Sequence, residues 1–72
     1  MLKYLIIFEK TATGFSAYAP DLPGCIATGK TRPLAEKNIL QAIQFHLEGL
    51  KEENLPVPVS NSEAETFVFS FK

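Results

Sequence analysis

One cysteine, one histidine and one aspartate are all that this chain of 72 residues offers in those three types, and the scarcity is informative. A lone Cys25 excludes an internal disulfide. Structural zinc asks for about four Cys or His ligands, and only Cys25 and His46 are present, so neither a metal nor any other cofactor is expected. Two-metal nuclease chemistry needs several carboxylates converging on ions about 4 Å apart. Asp21 stands alone in a turn and Glu9 is the only glutamate near an early strand, which argues against such a centre. No apolar run reaches the ~20 residues that span a bilayer. The first residues also lack the basic, apolar and small-residue order of a signal peptide, which predicts a soluble, cytoplasmic protein that does not enter a membrane. Gly14, Gly24 and Gly29 are scattered turn glycines with no phosphate-loop spacing.

What is present is one small domain, residues 1–72. A chain of this size hides only about 60% of the surface its unfolded form exposes. With disulfide and metal set aside, self-association into a dimer or tetramer is the remaining support. The net charge of −1 conceals an asymmetry. Residues 1–35 carry Lys3, Lys10, Lys30 and Arg32 against Glu9 and Asp21, or +2. Residues 36–72 carry Glu36, Glu48, Glu52, Glu53, Glu63 and Glu65 against Lys37, Lys51 and Lys72, or −3. That balance disfavours nucleic acid and suits a basic protein partner, although a charged run also serves simply as a solvated face.

Residues 2–9 (LKYLIIFE) read as a strand, with Leu2, Tyr4, Ile6 and Phe8 on one face and Leu5 and Ile7 making the other apolar at its centre. Thr11-Ala12-Thr13-Gly14 supplies a turn, and Phe15, Ala17 and Ala19 then alternate with Ser16 and Tyr18 until Pro20 stops the pairing. In Leu22-Pro23-Gly24-Cys25, Pro23 presets φ for the second turn position and Gly24 accepts the positive φ of the third, a type II turn. Cys25–Thr28 forms a third strand. Thr31 is the expected N-cap of a long helix, with Pro33 in its first turn and Glu36 near the positive end of the dipole.

Within that helix Ala35, Ile39, Ala42, Ile43, Leu47 and Leu50 recur at three- and four-residue steps, with His46 on the same stripe. Leu34, Leu40 and Phe45 lie outside it, a wider apolar sector than one sheet contact requires. The helix should end near Asn54, which tolerates a left-handed cap, before Leu55-Pro56 blocks continuation. Residues 55–65 read as a connector and Thr66–Phe71 as a fourth strand, with Phe67, Phe69 and Phe71 on one face. The fold class is α+β, a β-β-β-α-β antiparallel sheet with one long helix on one face. One helix cannot cover both faces and both edges of such a sheet, so another chain should complete the burial.

Cys25 and His46 as a thiolate and its base would require hydrogen-bond contact and an orienting third group, which the spacing does not indicate. Cys25 reads better as a small buried hydrophobe and His46 as a packed or rim histidine. The phenylalanine alternation lacks the basic groove of a base-stacking surface.

The opening strand, GFSAYAPDLPGCIATGKT, and a helix ending AIQFHLEGL followed by LPVPV together resemble the HicB-like antitoxin family over nearly the whole chain. The resemblance implies a partial ribonuclease H-like fold without the nuclease centre, self-association, and neutralisation of a small HicA toxin, an RNA-cleaving protein with a double-stranded-RNA-binding-like fold. Many members carry a C-terminal helix-turn-helix or ribbon-helix-helix module for operator DNA. This sequence stops at Lys72, so no such module and no direct nucleic-acid binding are expected. Its Thr31-Arg32-Pro33-Leu34 replaces the acidic first helical turn common in relatives, so a contact through those positions is not carried over.

The leading expectation is a noncatalytic antitoxin that docks on a basic HicA-like toxin. Glu48, Glu52 and Glu53 are its electrostatic contact candidates. Tyr18, Asp21, Leu22, Pro23 and His46 are further contact candidates, chosen for exposure beside the turn or along the helix. Two alternatives stand beside it: a small hydrolase or nuclease whose site forms across an oligomer interface from Asp21, His46 and other acidic residues, and an orphan homo-oligomeric domain.

Overall fold

The computed structural model describes residues 2–71. Three short strands, β1 (Ile7–Lys10), β2 (Phe15–Tyr18) and β3 (Ile26–Gly29), form an antiparallel meander in the order β1-β2-β3, followed by one helix, α1 (Arg32–Glu52). The α+β class and the single long helix are as the sequence predicts. The first hairpin closes where Thr11 N–H donates to Gly14 O at 2.8 Å. Its register pairs Ile7 with Tyr18 and Lys10 with Phe15. The second pairs Tyr18 with Ile26 and Phe15 with Gly29.

The β2–β3 connection is the type II turn predicted from Pro23 and Gly24. Cys25 N–H donates to Leu22 O at 3.1 Å and Gly24 takes φ 87°, a conformation that costs glycine little because it has no Cβ. Thr31 caps α1, its Oγ1 accepting from Leu34 N–H at 3.2 Å. At the other end Asn54 adopts φ 55°. There Leu55 N–H reaches Leu50 O at 2.9 Å and Asn54 N–H reaches Lys51 O at 3.2 Å, the two bonds of a Schellman closure that satisfy the last carbonyls.

Alternation decides what faces the helix. Ala17, Ala19 and Cys25 point inward with Leu22 and meet Ile39 and Ile43 of α1, while Tyr4, Ile6, Phe8, Ala27 and Leu47 pack around them. Small residues at the centre bring the helix close. A Cβ on Gly29 would fall on the Ala35 backbone nitrogen, so only glycine permits this approach of helix to strand. Asn38 Nδ2 donates to Thr28 O at 2.8 Å, fastening α1 to the outer edge of β3. Arg32 stacks over the Phe8 ring, 3.6 Å from its centroid, and pairs with Glu36 at 2.6 Å.

Two expectations need correction. The first strand is regular only from Ile7, and residues 2–6 carry no ladder, because β2 gives out at Tyr18 and the chain turns at Pro20, which has no N–H to donate. The fourth strand expected at Thr66–Phe71 is not formed, and no described residue beyond Glu52 is helix or strand. The connector is instead clasped at one end of the sheet. Tyr4 OH donates to Pro58 O at 2.6 Å. Asp21 Oδ2 accepts from the Asn61 and Ser62 N–H groups, each at 2.9 Å, and its Oδ1 accepts from Ser62 Oγ at 3.0 Å. From there the chain leaves the body, and with this tail the described residues extend 54 × 27 × 18 Å.

Candidate functional site

A helix of 21 residues is about 31 Å long at 1.5 Å per residue, whereas a four-residue strand covers only about 13 Å. The second half of α1 therefore projects past the sheet, and the Leu-Pro-Gly corner folds up against it. Between corner and helix lies a groove of about 390 Å³ lined by Gly24, Cys25, Ala42, Phe45, His46, Gly49, Leu50 and Glu53. On the other side of the same corner a depression of about 380 Å³ is bounded by Tyr18, Ala19, Pro20, Leu22, Pro23 and Ile26, with Gly24 and Cys25 shared between the two. The corner is thus a ridge between two apolar hollows.

The ridge is rigid for local reasons. The type II turn sets its backbone, and Leu22 plugs its base into the core, fully buried. Leu22 was expected to be exposed for contact; instead its side chain packs inward, because a turn this tight must bury one apolar residue to stay against the sheet. Pro23 is exposed on the crest. Tyr18 is half-buried on the sheet face away from α1, in a cross-strand row with Ile7 and Ile26. Ile26 is 65% exposed. It did not stand out in the sequence, although an inward Cys25 at the start of β3 already turns the next side chain outward.

The acidic candidates divide. Glu53 lines the groove with His46, and Glu52 is exposed at the end of α1. Glu48 sits on the other flank of the helix, in a groove of about 620 Å³ that also includes Leu2, Leu47, Lys51, Leu55 and Val57. The structure therefore gathers Tyr18, Pro23, His46 and Glu53 around the corner, with Glu52 nearby in sequence and Glu48 apart.

Asp21 has a different employment. The backbone N–H of Ser62 and then that of Asn61 hold its carboxyl below the usual carboxylate range; desolvation opposes them and the Ser62 hydroxyl adds a smaller lowering effect. Its oxygens are committed to the connector, a role no local signal reveals because the partners lie 40 and 41 residues away. Burial pushes the Cys25 thiol up, which keeps it a protonated core residue rather than a nucleophile. Among the described residues no three His, Cys, Asp or Glu side chains converge to hold a metal ion, and no helix is long and apolar enough to cross a membrane. What the corner offers is shape and apolar surface, the properties of a protein-docking site.

Comparison with known proteins bears on that reading. A family described as HicB_like antitoxin of bacterial toxin-antitoxin system matches residues 4–69. The chain is similar to the UPF0150 protein Ta0767 of Thermoplasma acidophilum, 39% identical over 66 residues, which cover 90% of this chain and 96% of that one. It is also similar to an uncharacterized 14.9 kDa protein of the rep-hol intergenic region of Haemophilus phage HP1, 41% identical over 58 residues, 81% of this chain but 44% of the phage protein. Among solved structures it superposes on a chain of the HicA3 and HicB3 toxin-antitoxin complex with a TM-score of 0.68 and 37% identity, over 83% of this chain and 70% of the other. The crystal structure of antitoxin HicB3 gives the same TM-score and identity, with 44% of its length covered. The chain thus spans less than half of the phage protein and of that HicB3 chain.

Proposed function

Because this chain belongs to the HicB_like antitoxin family of bacterial toxin-antitoxin systems, we propose that it binds and masks a small HicA-type toxin that cleaves RNA, and that it does so without catalysis. The observation that carries this reading is the likeness to a chain of the HicA3–HicB3 complex at 37% identity over 83% of the present sequence.

The docking surface is the ridge and its hollows. Pro23, Ile26, Tyr18 and Phe45 supply apolar contact, and Phe45 is 80% exposed. His46 and Glu53 line the groove, Glu52 is exposed next to it at the end of α1, and Glu48 adds an acidic charge on the opposite flank of the same half of α1. Carboxylates presented to a basic toxin occupy positions that RNA phosphates would otherwise take, and they speed the encounter. Apolar burial at the ridge then holds the complex. The protein acts in the cytoplasm, where its RNA-cleaving target works, and functions as a dimer or tetramer.

An enzyme assembled from Asp21 and His46 is the weaker reading, since the Asp21 oxygens already accept three hydrogen bonds from the connector. The test is co-expression with a HicA-type toxin. The expected result is rescue of growth and co-purification of the two proteins, both weakened by Ile26→Asp and by Phe45→Asp. Neither variant touches the core, because both side chains are exposed. Absence of association with any such toxin, with growth not rescued, rejects the proposal.

A further inference from the structure

We propose that residues 66–71 form the fourth strand of a second copy's sheet, pairing along the outer edge of β1 and the residues that lead directly into it, and that two copies exchange these tails reciprocally. This identifies the contact behind self-association and does not depend on toxin binding.

The tail carries the pattern of a half-buried strand with nothing to bury it. Phe67, Val68, Phe69 and Phe71 are 65%, 97%, 85% and 96% exposed. Phenylalanines at alternate positions stand on one side of an extended chain. Such a segment, apolar and β-prone with its backbone unpaired, seeks a sheet edge. The connector is pinned to its own body as far as Ser62, yet the tail does not return to its own β1. Beyond that clasp, residues 63–71 span up to about 30 Å when extended, enough to reach along a neighbour.

Of the two edges, that of β1 is the more open. On β3 the carbonyl of Thr28 already accepts from the Asn38 side chain, and Gly29 is pressed against the start of α1. β1 pairs with β2 alone; the residues before it, 2–6, run without a ladder, with Leu2–Tyr4 flanked across a groove by Val57–Ser60 of the same chain. Helix α1 lies over β3 and β2, so the helix-side face of the first strand, Tyr4, Ile6 and Phe8, is only half-buried. Three phenylalanines arriving on that side fill the uncovered space, and Val68 then falls on the opposite face with Leu5 and Ile7.

Area favours a second copy as the occupant. A buried phenylalanine removes about 150–250 Å² from water. Reciprocal exchange of three per chain buries about 1,000 Å² from these side chains alone, with backbone and Val68 in addition, which approaches the ~1,200–2,000 Å² of a stable interface. A two-fold exchange also closes on itself, so no apolar tail or β1 edge is left to propagate a fibre.

Cross-linking and sedimentation of the full chain test this. In a Cys25→Ala background, Lys3→Cys protein is mixed with Val68→Cys protein and treated with a short bismaleimide. The expected product is a covalent dimer containing one chain of each kind. Wild type is expected to sediment as a dimer or a multiple of it at micromolar concentration. Phe67→Ser/Phe69→Ser/Phe71→Ser is expected to weaken the dimer by about 100-fold or more, as loss of central aromatic anchors does, with the helical circular dichroism unchanged. The proposal is overturned by a wild-type monomer, by a dimer indifferent to the triple substitution, or by a Lys3→Cys/Val68→Cys double variant that cross-links within one chain. It is likewise overturned if the tail becomes ordered only when a HicA-type toxin is added. A monomer that still captures such a toxin sinks the exchange and leaves the masking function standing.

Discussion

Residues 7–53 and residues 55–71 both carry large apolar side chains, yet the first stretch encloses a core of them in its own structure and the second holds its large ones out to water. In the first, every element is closed locally: a hairpin, a proline-glycine turn, a threonine cap and a Schellman stop each satisfy their backbone groups within a few residues. The second is attached at Pro58, Asn61 and Ser62 and is otherwise free of secondary structure. The difference teaches that apolar content does not itself make a core. A side chain contributes to the stability of one chain only if that chain supplies the opposing surface.

The sharpest way to break this comparison is to truncate one apolar side chain in each region. Ile39 is fully buried in one cluster with Leu22, Ala17 and Ala19. Ile39→Ala should cost about 2–5 kcal/mol, enough to unfold much of a marginal domain of this size. Phe69→Ala, made in the exposed tail, should move the unfolding free energy by less than about 0.5 kcal/mol under conditions where the chain is monomeric. Urea titration at low concentration measures both. A large loss from Phe69→Ala in a verified monomer would show that the tail folds back on its own body.

Next in size is Gly29→Ala, which forces a methyl group into the Ala35 backbone. Backbone cannot move aside as a flexible side chain can, so about 1–3 kcal/mol is expected, the usual range for overpacking. Gly49→Ala offers the contrast: a Cβ there meets nothing within 4 Å. It should stabilise the helix by up to about 1 kcal/mol through propensity. Thr31→Ala then removes the cap on Leu34, at about 1 kcal/mol. Thermal unfolding of the three variants orders them.

These contrasts follow what the residues reveal locally and what they do not. Pro23 and Gly24 announce their turn, Thr31 its cap and Asn54 the helix end, because each is decided by steric and hydrogen-bonding demands inside a few residues. The stripe of Ala35, Ile39 and Ile43 is legible from periodicity for the same reason. The fate of Thr66–Phe71 is not, since alternation specifies the capacity to be a strand but not the edge it joins. The burial of Leu22 and the exposure of Ile26 depend on which way the corner folds. Of the proposed docking residues, Pro23, Tyr18, His46 and Glu53 can be picked out from their positions in the sequence, whereas their gathering around one ridge requires the helix to overhang the sheet. The bond from Asp21 to Ser62 crosses 41 residues and leaves no trace in local pattern.

That bond gives the smallest effect and the finest division between the two regions. Its hydrogen bonds depress the folded-state pKa of Asp21 below the ordinary carboxylate value. The unfolded chain therefore takes up the proton first as pH falls. The contribution is complete above the unfolded pKa of about 3.9 and is lost as pH drops through the lower folded value. Acidification through that lowered value should release the connector while β1–β3 and α1 persist, because among the described residues no carboxylate is buried in the core. Amide resonances of Asn61 and Ser62 should shift with a midpoint under the usual aspartate range, and Asp21→Ala should reproduce the released spectrum at neutral pH. If those two amides instead titrate together with the amides of Ala17 and Ile39, the connector and the core are one cooperative unit and the division drawn between them does not hold.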